Sequence, residues 1–309
     1  MLPVSQPSVG NDEAEALREV LASAWLGQGA WTQRFEARLS EYCGGREVVA
    51  VSSGTSALFL ALDALGLKAG DEVIVPSLTF CASVQAITAT GATPVFCEVD
   101  AHTANLDLAD AARCITPRTR ALMPVHYAGN PCDQEAVYAL ARAHGLRVVE
   151  DAAHAFGSSY HGRRLGSFGD LVCFSFDPIK NLTCGEGGAV VLGDETLAAV
   201  LRRKRVLGID RDGWQRFREK SALQYAVTTQ GYRAHMSTLL AAIGLRQFDK
   251  LDAMHARKRD IVARYQAAFT GLPGLRAVAV HGPDAFPFIY VVGVENGQRD
   301  ALRVHLAER

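Results

Sequence analysis

The chain of 309 residues is 49% hydrophobic and 21% charged, which is typical of a globular protein and not of a disordered one. Its 32 basic and 33 acidic residues leave a net charge of -1, so no basic excess indicates binding to nucleic acid or to an anionic membrane. The seven cysteines are scattered and form no C-x-x-C pair, so the sequence predicts neither disulfides nor a zinc site. No apolar run reaches the roughly 20 residues of a membrane helix. We therefore expect a cytoplasmic protein that acts on small molecules without a metal.

Short apolar segments alternate with helical patterns through the first two-thirds of the chain. Continuous apolar strands that alternate with helices predict an α/β fold, with a mostly parallel central sheet covered by helices on both faces. Because ligands of such sheets bind at the carboxyl ends of the strands, the loops after the strands are the expected place for functional residues. The strand candidates are 72–75, 94–99, 121–125, 146–150, 172–176 and 189–192, with helical stretches at 58–67 and 134–144.

The last quarter of the chain predicts a long helix followed by a small α+β unit. The helix extends from 236 to Phe269, glycines at 271–274 end it, and 275–309 favours strand, strand and helix. We therefore predict a large domain over 1–245 and a small C-terminal domain over 246–309. The small domain is expected to be shortened, with 286–292 poorly covered, because the sequence stops within a predicted helix that has no capping glycine. One face of the long helix carries Met236, Leu240, Ile243, Gln247 and Leu251.

The first candidate site is the sequence Ser-Ser-Gly-Thr-Ser-Ala-Leu at 52–58. Small polar residues follow an apolar strand here and open a helix, whose free backbone N–H groups form an anion site. Thr55 and Ser56 can add hydroxyl donors. The alternative is a simple helix N-cap without a ligand.

The second candidate site is Asp151, which follows the apolar strand at 146–149. A carboxylate at this place needs a cationic or hydrogen-bonding partner if it is buried, and a protonated pyridine nitrogen is one such partner. The alternative is again a helix N-cap.

The third candidate site is Lys180, which lies between the strand at 172–176 and the Gly-Glu-Gly-Gly turn at 185–188. An amine inside a pocket can have a lowered pKa and act as a nucleophile, and glycines let the backbone approach a ligand closely. The alternative is a surface lysine before a hairpin turn.

Together, a phosphate cradle, a carboxylate and an amine at strand ends of one sheet meet the requirements for binding pyridoxal 5′-phosphate (PLP). The chain resembles the DegT/DnrJ/StrS family of PLP-dependent nucleotide-sugar aminotransferases over nearly its whole length, and is nearest to the enzymes that aminate C4 of UDP-linked keto sugars, the UDP-4-amino-4-deoxy-L-arabinose synthase type. The motifs that carry the resemblance are SSGTSALFLAL (52–62), GDEVIVPSLTF (70–80), PVHYAG (124–129), VVEDAAHAFGSSYHGRRLGSFGD (148–170), CFSFDPIKNLTCGEGGAVV (173–191) and GYRAHMSTLLAAIGLRQFDKLD (231–252).

The resemblance implies the type I fold of PLP-dependent aminotransferases and a role for each matching residue. Lys180 matches the lysine that bonds covalently to PLP, and Asp151 matches the carboxylate that pairs with the ring nitrogen. The remaining matches are to cofactor-binding positions: Gly54 and Thr55 in the phosphate loop, Ser175 beside the phosphate, Phe80 on the ring face and His154 near the ring.

The resemblance also implies a homodimer with shared active sites, in which a segment of the other subunit completes the phosphate site. The matching segment here is 231–237, and His235 is the cofactor-binding candidate within it. This segment departs from the family at Arg233, Ala234 and His235, and Asp177 replaces a frequent histidine in the lysine motif.

The function that follows is transfer of an amino group from an amino acid, with glutamate as the implied donor, to a keto group of a nucleotide-linked sugar at C4. C4 is implied by the resemblance, and the residues leave the nucleotide, the sugar and the carbon that is aminated open. The alternatives are a PLP-dependent sugar dehydratase, which would carry histidine where this chain has Lys180, and a non-catalytic PLP-binding relative.

Overall fold

A computed structural model describes residues 5–211, 214, 225–278 and 282–308, in which helices flank a seven-stranded sheet. The helices are α1 (Asn11–Ala22), α2 (Ala30–Tyr42), α3 (Gly54–Ala64), α4 (Cys81–Ala89), α5 (Leu108–Arg113), α6 (Gln134–His144), α7 (Glu195–Lys204), α8 (Thr238–Phe269) and α9 (Arg299–Ala307). The strands are β1 (Glu47–Val51), β2 (Glu72–Pro76), β3 (Thr93–Cys97), β4 (Thr119–Leu122), β5 (Arg147–Asp151), β6 (Ser159–Tyr160), β7 (Arg163–Arg164), β8 (Leu171–Ser175), β9 (Gly188–Leu192), β10 (Leu275–Val278) and β11 (Val291–Val294).

The central sheet has the strand order β1-β9-β8-β5-β4-β2-β3. Strands β3, β2, β4, β5 and β8 pair in parallel, whereas β9 runs antiparallel to both of its neighbours, β8 and β1. The predicted α/β fold with a mostly parallel sheet is therefore confirmed. The reversed strand β9 places its first residue, Gly188, at the same edge as the carboxyl ends of the other strands.

The sheet forms because its strands carry apolar residues on both faces. On β1, Val49 and Val51 pack against the cluster that contains Leu58 of α3. The alternate residues Val48 and Ala50 pack against the cluster of α2 and α8 on the opposite face. Burial on both faces explains why the strand sequences are continuously apolar and show no alternation with polar residues.

Helix α8 is one continuous element of 32 residues, so the predicted domain boundary at 245/246 lies inside it. Its buried face differs from the predicted one, since Gly244 and Phe248 are buried and Ile243 is only half-buried. Gln247 is buried because its amide donates to Ser8 O at 2.8 Å and to the Glu13 carboxylate at 2.8 Å. The strand, strand and helix predicted after α8 appear as β10, β11 and α9.

Residues 284–288, here called the strap, connect the end of the chain to the large sheet. Phe286 is 1% exposed, so the expectation that its surroundings would be poorly covered is wrong at this residue. A Cβ atom at Gly129 would lie 2.2 Å from Phe286 O, and one at Gly157 would lie 2.2 Å from the Phe286 ring. Both glycines thus make room for the strap.

Within the described residues, no helix is both long enough and apolar enough to cross a bilayer.

Candidate active site

A cavity of about 260 Å³ opens at the edge of the sheet where β1, β5 and β8 end and β9 begins. Seven of the eight site residues predicted from the sequence line it. They are Gly54, Thr55, Phe80, Asp151, His154, Ser175 and Lys180.

The amino end of α3 forms one wall of the cavity. Ser53 is the N-cap of the helix, since its hydroxyl accepts the Ser56 N–H at 3.0 Å. The helix is thus capped by Ser53, as the alternative supposed. Gly54 and Thr55 nevertheless line the cavity, and a phosphate site there stays a prediction. A Cβ atom at Gly54 would lie 2.6 Å from Ser175 Cβ, so glycine is what allows the helix end and the end of β8 to meet.

Asp151 ends β5 and is 5% exposed. The Ser83 hydroxyl donates to Oδ2 at 2.6 Å, and the backbone N–H of Ala153 donates to Oδ1 at 3.1 Å. The Thr79 hydroxyl lies 2.7 Å from Ser83 Oγ and extends this chain of hydrogen bonds. No helix begins at Asp151, so the N-cap alternative is wrong. Two donors orient the carboxylate and stabilise its negative charge.

Lys180 is half-buried in the loop between β8 and β9. Burial lowers the pKa of its amine, while the Asp177 and Asp151 carboxylates act in the opposite direction. The Lys180 Nζ atom lies 4.5 Å from the centroid of the Phe288 ring. The lysine is therefore part of the cavity wall and not a surface lysine before a turn.

His154 stacks on Phe288, with ring centroids 4.3 Å apart and an angle of 27° between the rings. Burial, followed by the charge of Lys180, lowers the pKa of His154 to about 3, so its imidazole is neutral near pH 7. Within the described part of the chain, the buried His154 Nδ1 has no hydrogen-bond partner. Tyr127 lies on the other side, with its ring centroid 5.9 Å from that of His154.

His235 is the predicted site residue that does not line the cavity. Its backbone pairs with Val51, and the neighbouring Ala234 O accepts the Ser52 N–H at 2.7 Å. The segment thus contacts the end of β1 and the turn before α3 through backbone hydrogen bonds. A contact of His235 with the site of another subunit stays a prediction.

Three residues of the site were not found by sequence reasoning. Ser83 holds Asp151, and Phe288 and Tyr127 flank His154. A serine three residues after Phe80 has no distinctive local pattern, and Phe288 lies far along the chain from the other site residues. Tyr127 belongs to the PVHYAG motif, which was noticed but was given no role.

The cavity fits PLP on features of this chain. The end of α3 offers N–H groups for a phosphate, Asp151 offers an oriented carboxylate for a pyridinium nitrogen, and Lys180 offers an amine of lowered pKa. His154 adds a neutral ring with an unpartnered nitrogen. This fold and this set of groups define a PLP-dependent enzyme.

The chain belongs to the DegT/DnrJ/EryC1/StrS aminotransferase family, whose model matches residues 7–309. It is 42% identical over 303 residues to the spore coat polysaccharide biosynthesis protein SpsC of Bacillus subtilis (strain 168), covering 98% of this chain and 78% of that protein. DesV of S. venezuelae, solved in complex with a ketimine intermediate, is 41% identical with a TM-score of 0.87, covering 96% of this chain and 77% of that one. Spr1654 of Streptococcus pneumoniae, assigned as a sugar aminotransferase and solved in a PLP-form, is 30% identical with a TM-score of 0.90, covering 99% and 82%.

The predicted family, fold type, cofactor and transaminase activity are thereby confirmed. The roles of the individual residues stay predictions.

Proposed function

We propose that this aminotransferase moves an amino group from L-glutamate to the C4 keto group of a nucleotide-linked sugar. The observation that carries the proposal is the convergence of Lys180, Asp151 and the amino end of α3 on one cavity. SpsC is named for polysaccharide biosynthesis and Spr1654 is assigned as a sugar aminotransferase, which supports a sugar as the acceptor. Glutamate and C4 come from the sequence resemblance.

Each side chain of the cavity has a task that its surroundings favour. When bound, PLP supplies an electron sink for the electrons of the broken C–H bond. Asp151, held by Ser83 and Ala153, would keep a proton on the ring nitrogen of bound PLP. The Lys180 amine would take the proton from the substrate carbon and return it, and burial favours this role because it lowers the pKa of the amine.

The phosphate end and the ring face are assigned to the remaining groups. The N–H groups at the start of α3, together with the hydroxyls of Thr55 and Ser175, would hold the phosphate. His154 would pack against the ring as a neutral group, so it adds no positive charge next to Lys180. Phe80 would close the opposite face.

We propose that two copies of the chain share their active sites. Phe80 and Ile179 line the cavity and are 70% and 48% exposed, and Leu78, two residues before Phe80, is 40% exposed. Exposed apolar groups that adjoin a site indicate a covering surface. A second copy that brings the segment around His235 would supply that cover.

Two further sequence predictions are retained as proposals. The division into residues 1–245 and 246–309 is supported by β10, the strap and β11, which all follow α8, although its boundary lies inside that helix. A cytoplasmic location agrees with seven cysteines that are all free thiols, a usage typical of reducing compartments.

The test of the proposed function compares parent protein with Lys180→Ala. Borohydride treatment should fix PLP on the peptide that contains Lys180 in the parent, and the variant should show neither this adduct nor turnover. Lys68→Ala is the matched control, because Lys68 is exposed and precedes β2 at the sheet edge opposite the cavity. Adduct formation on another peptide would refute the assignment.

The acceptor is tested with UDP-, dTDP- and GDP-linked keto sugars and glutamate. We expect the parent and Lys68→Ala to aminate at least one 4-keto sugar. Neither protein should do so in the absence of PLP. Turnover of simple keto acids alone would contradict the sugar acceptor.

A further inference from the structure

Lys258 is a half-buried amine on α8 that is not among the residues lining the cavity. Burial lowers its pKa to about 8. Among the described residues, no carboxylate offsets this effect. That atom lies instead 2.6 Å from Asn181 Oδ1 and 5.7 Å from the centroid of the Phe286 ring. An amine that is desolvated without a counter-ion is costly, so its neighbours indicate what it does.

The contact with Lys258 determines which way the Asn181 amide faces. An ammonium group can only donate hydrogen bonds, so it must meet the amide oxygen and not the amide nitrogen. The amide N–H groups then face the other side, where Nδ2 donates to Phe286 O at 3.2 Å and to Phe156 O at 3.4 Å. Asn181 therefore joins α8, the loop after β5 and the strap.

These contacts lead directly to the cavity. Asn181 is the residue after Lys180, so fixing its side chain also fixes the middle of the loop between β8 and β9. Phe286 is two residues before Phe288, whose ring stacks on His154 and lies 4.5 Å from the Lys180 amine. One amide thus holds both the lysine and the aromatic ring beside it.

We propose that Lys258 is a positioning residue of the active site, which acts through the Asn181 amide to fix the Lys180 loop and the strap that carries Phe288. The proposal deepens the proposed function and rests on the assignment of Lys180 as the PLP-bonding lysine. Without the Lys258 amine, Asn181 Oδ1 would lack a charged donor, and the amide could rotate away from the two carbonyl groups. Lys180 would then stay in the protein but lose its fixed direction.

The experiment measures how fast apo-protein forms its covalent adduct with added PLP, followed by absorbance. This rate reports the position of Lys180 directly and does not depend on turnover. Lys258→Met keeps an unbranched apolar side chain but removes the donor, and Asn181→Ala removes the amide. We expect each variant to form the adduct about tenfold more slowly, because a displacement of a reacting group by about 1 Å can cost up to about a hundredfold.

The double variant tests the route. If Lys258 acts through Asn181, the double variant should be slowed about tenfold as well, since the second change removes nothing that the first has left in place. Independent contributions would multiply to about a hundredfold, which would overturn the proposal. In steady-state kinetics, kcat should fall about tenfold with KM for glutamate changed by less than about threefold, the pattern of a lost transition-state interaction.

Lys250→Met is the matched control. Lys250 also lies on α8 and also donates to a partly enclosed acceptor, the Glu13 carboxylate, at 2.6 Å. The Lys250→Met variant should have a lower thermal stability than the parent, but its adduct rate should stay within about twofold of the parent rate, since Lys250 touches no residue of the site. An equal slowing in Lys250→Met, or a parental rate in Lys258→Met, would show that Lys258 is merely structural.

Should Lys258→Met fail to fold, Asn181→Asp takes its place. A carboxylate there keeps a partner for the Lys258 amine but loses both bonds to the Phe286 and Phe156 carbonyl groups. Slow adduct formation in this variant supports the proposal, and a parental rate overturns it. A parent protein that forms no adduct at all would refute the proposed function itself, which distinguishes the two failures.

Discussion

Removal of the Ser83 hydroxyl tests whether the hydrogen bonds to Asp151 contribute to catalysis. Ser83 is fully buried, and its hydroxyl donates to Asp151 Oδ2 at 2.6 Å. A hydrogen bond to a charged group contributes about 1.5–3 kcal/mol, and about 1.4 kcal/mol corresponds to a factor of ten in rate. The limits for Ser83→Ala are therefore about tenfold and about a hundredfold in kcat. We expect the lower limit, because the Ala153 N–H still holds Oδ1.

A graded series sharpens this test. Thr79→Val removes the next hydroxyl outward, a neutral donor worth about 0.5–1.5 kcal/mol, so its effect on kcat should be smaller than that of Ser83→Ala. Thr88→Ala on the same helix removes an exposed hydroxyl bonded to Gln85 O and should leave kcat unchanged. Steady-state kinetics and PLP titration of the three variants provide the data. Parental kcat in Ser83→Ala, or equal losses in all three variants, would refute the reasoning.

Three other substitutions test the remaining groups. Asp151→Asn should still bind PLP, because phosphate contacts remain, while kcat falls far more than affinity; near-parental kcat would count against its role. Gly54→Ala would place a Cβ atom 2.6 Å from Ser175 Cβ and should weaken PLP binding at least tenfold by fluorescence titration, whereas Gly27→Ala, with open space around its Cβ, should not. The pKa of His154 is about 3 in the folded protein and near 6.5 in the unfolded chain, so between these values only the unfolded chain binds the extra proton. The free energy of unfolding therefore falls as the pH drops from about 6.5 towards 3. In denaturant titrations of the apo-protein, His154→Gln should show a smaller fall than the parent, and an unchanged pH dependence would contradict the buried neutral ring.

The strands and the loops that carry function could be predicted because their signals are local. Six apolar segments predicted strands that the structure contains, with ends that differ by a few residues. The reversed direction of β9 could not be predicted, because its sequence is as apolar as that of a parallel strand and direction depends on the path of the chain between strands. The buried face of α8 differs from the predicted one for a related reason. Gly244 is buried because Phe35 and Cys184 press against it, which no helical periodicity reveals.

The site residues divide in the same way. Asp151 is the last residue of β5 and Lys180 lies in the loop after β8, so their place at the sheet edge follows from the strand prediction. Ser83, Phe288 and Lys258 act from other elements and meet the site only through packing. Their side chains are of ordinary types in ordinary surroundings, and the sequence carries no sign of the contacts that they make.

The reversal of β9 limits how the loop of Lys180 can change in length. Residues 176–187 connect two strands that are direct neighbours, and the ladder pairs Ser175 with Gly188 at the mouth of the loop. An insertion absorbed by either strand would slip this ladder by one residue and turn the side chain of Ser175 from one face of the sheet to the other. Swapping this loop between family members of unequal loop length is therefore a poor route to new substrates. The strap reaches the same cavity from a distant part of the chain, but its Phe286 carbonyl accepts a hydrogen bond from the Asn181 amide, so recombination there can alter the cavity without disturbing the lysine only if this bond is kept.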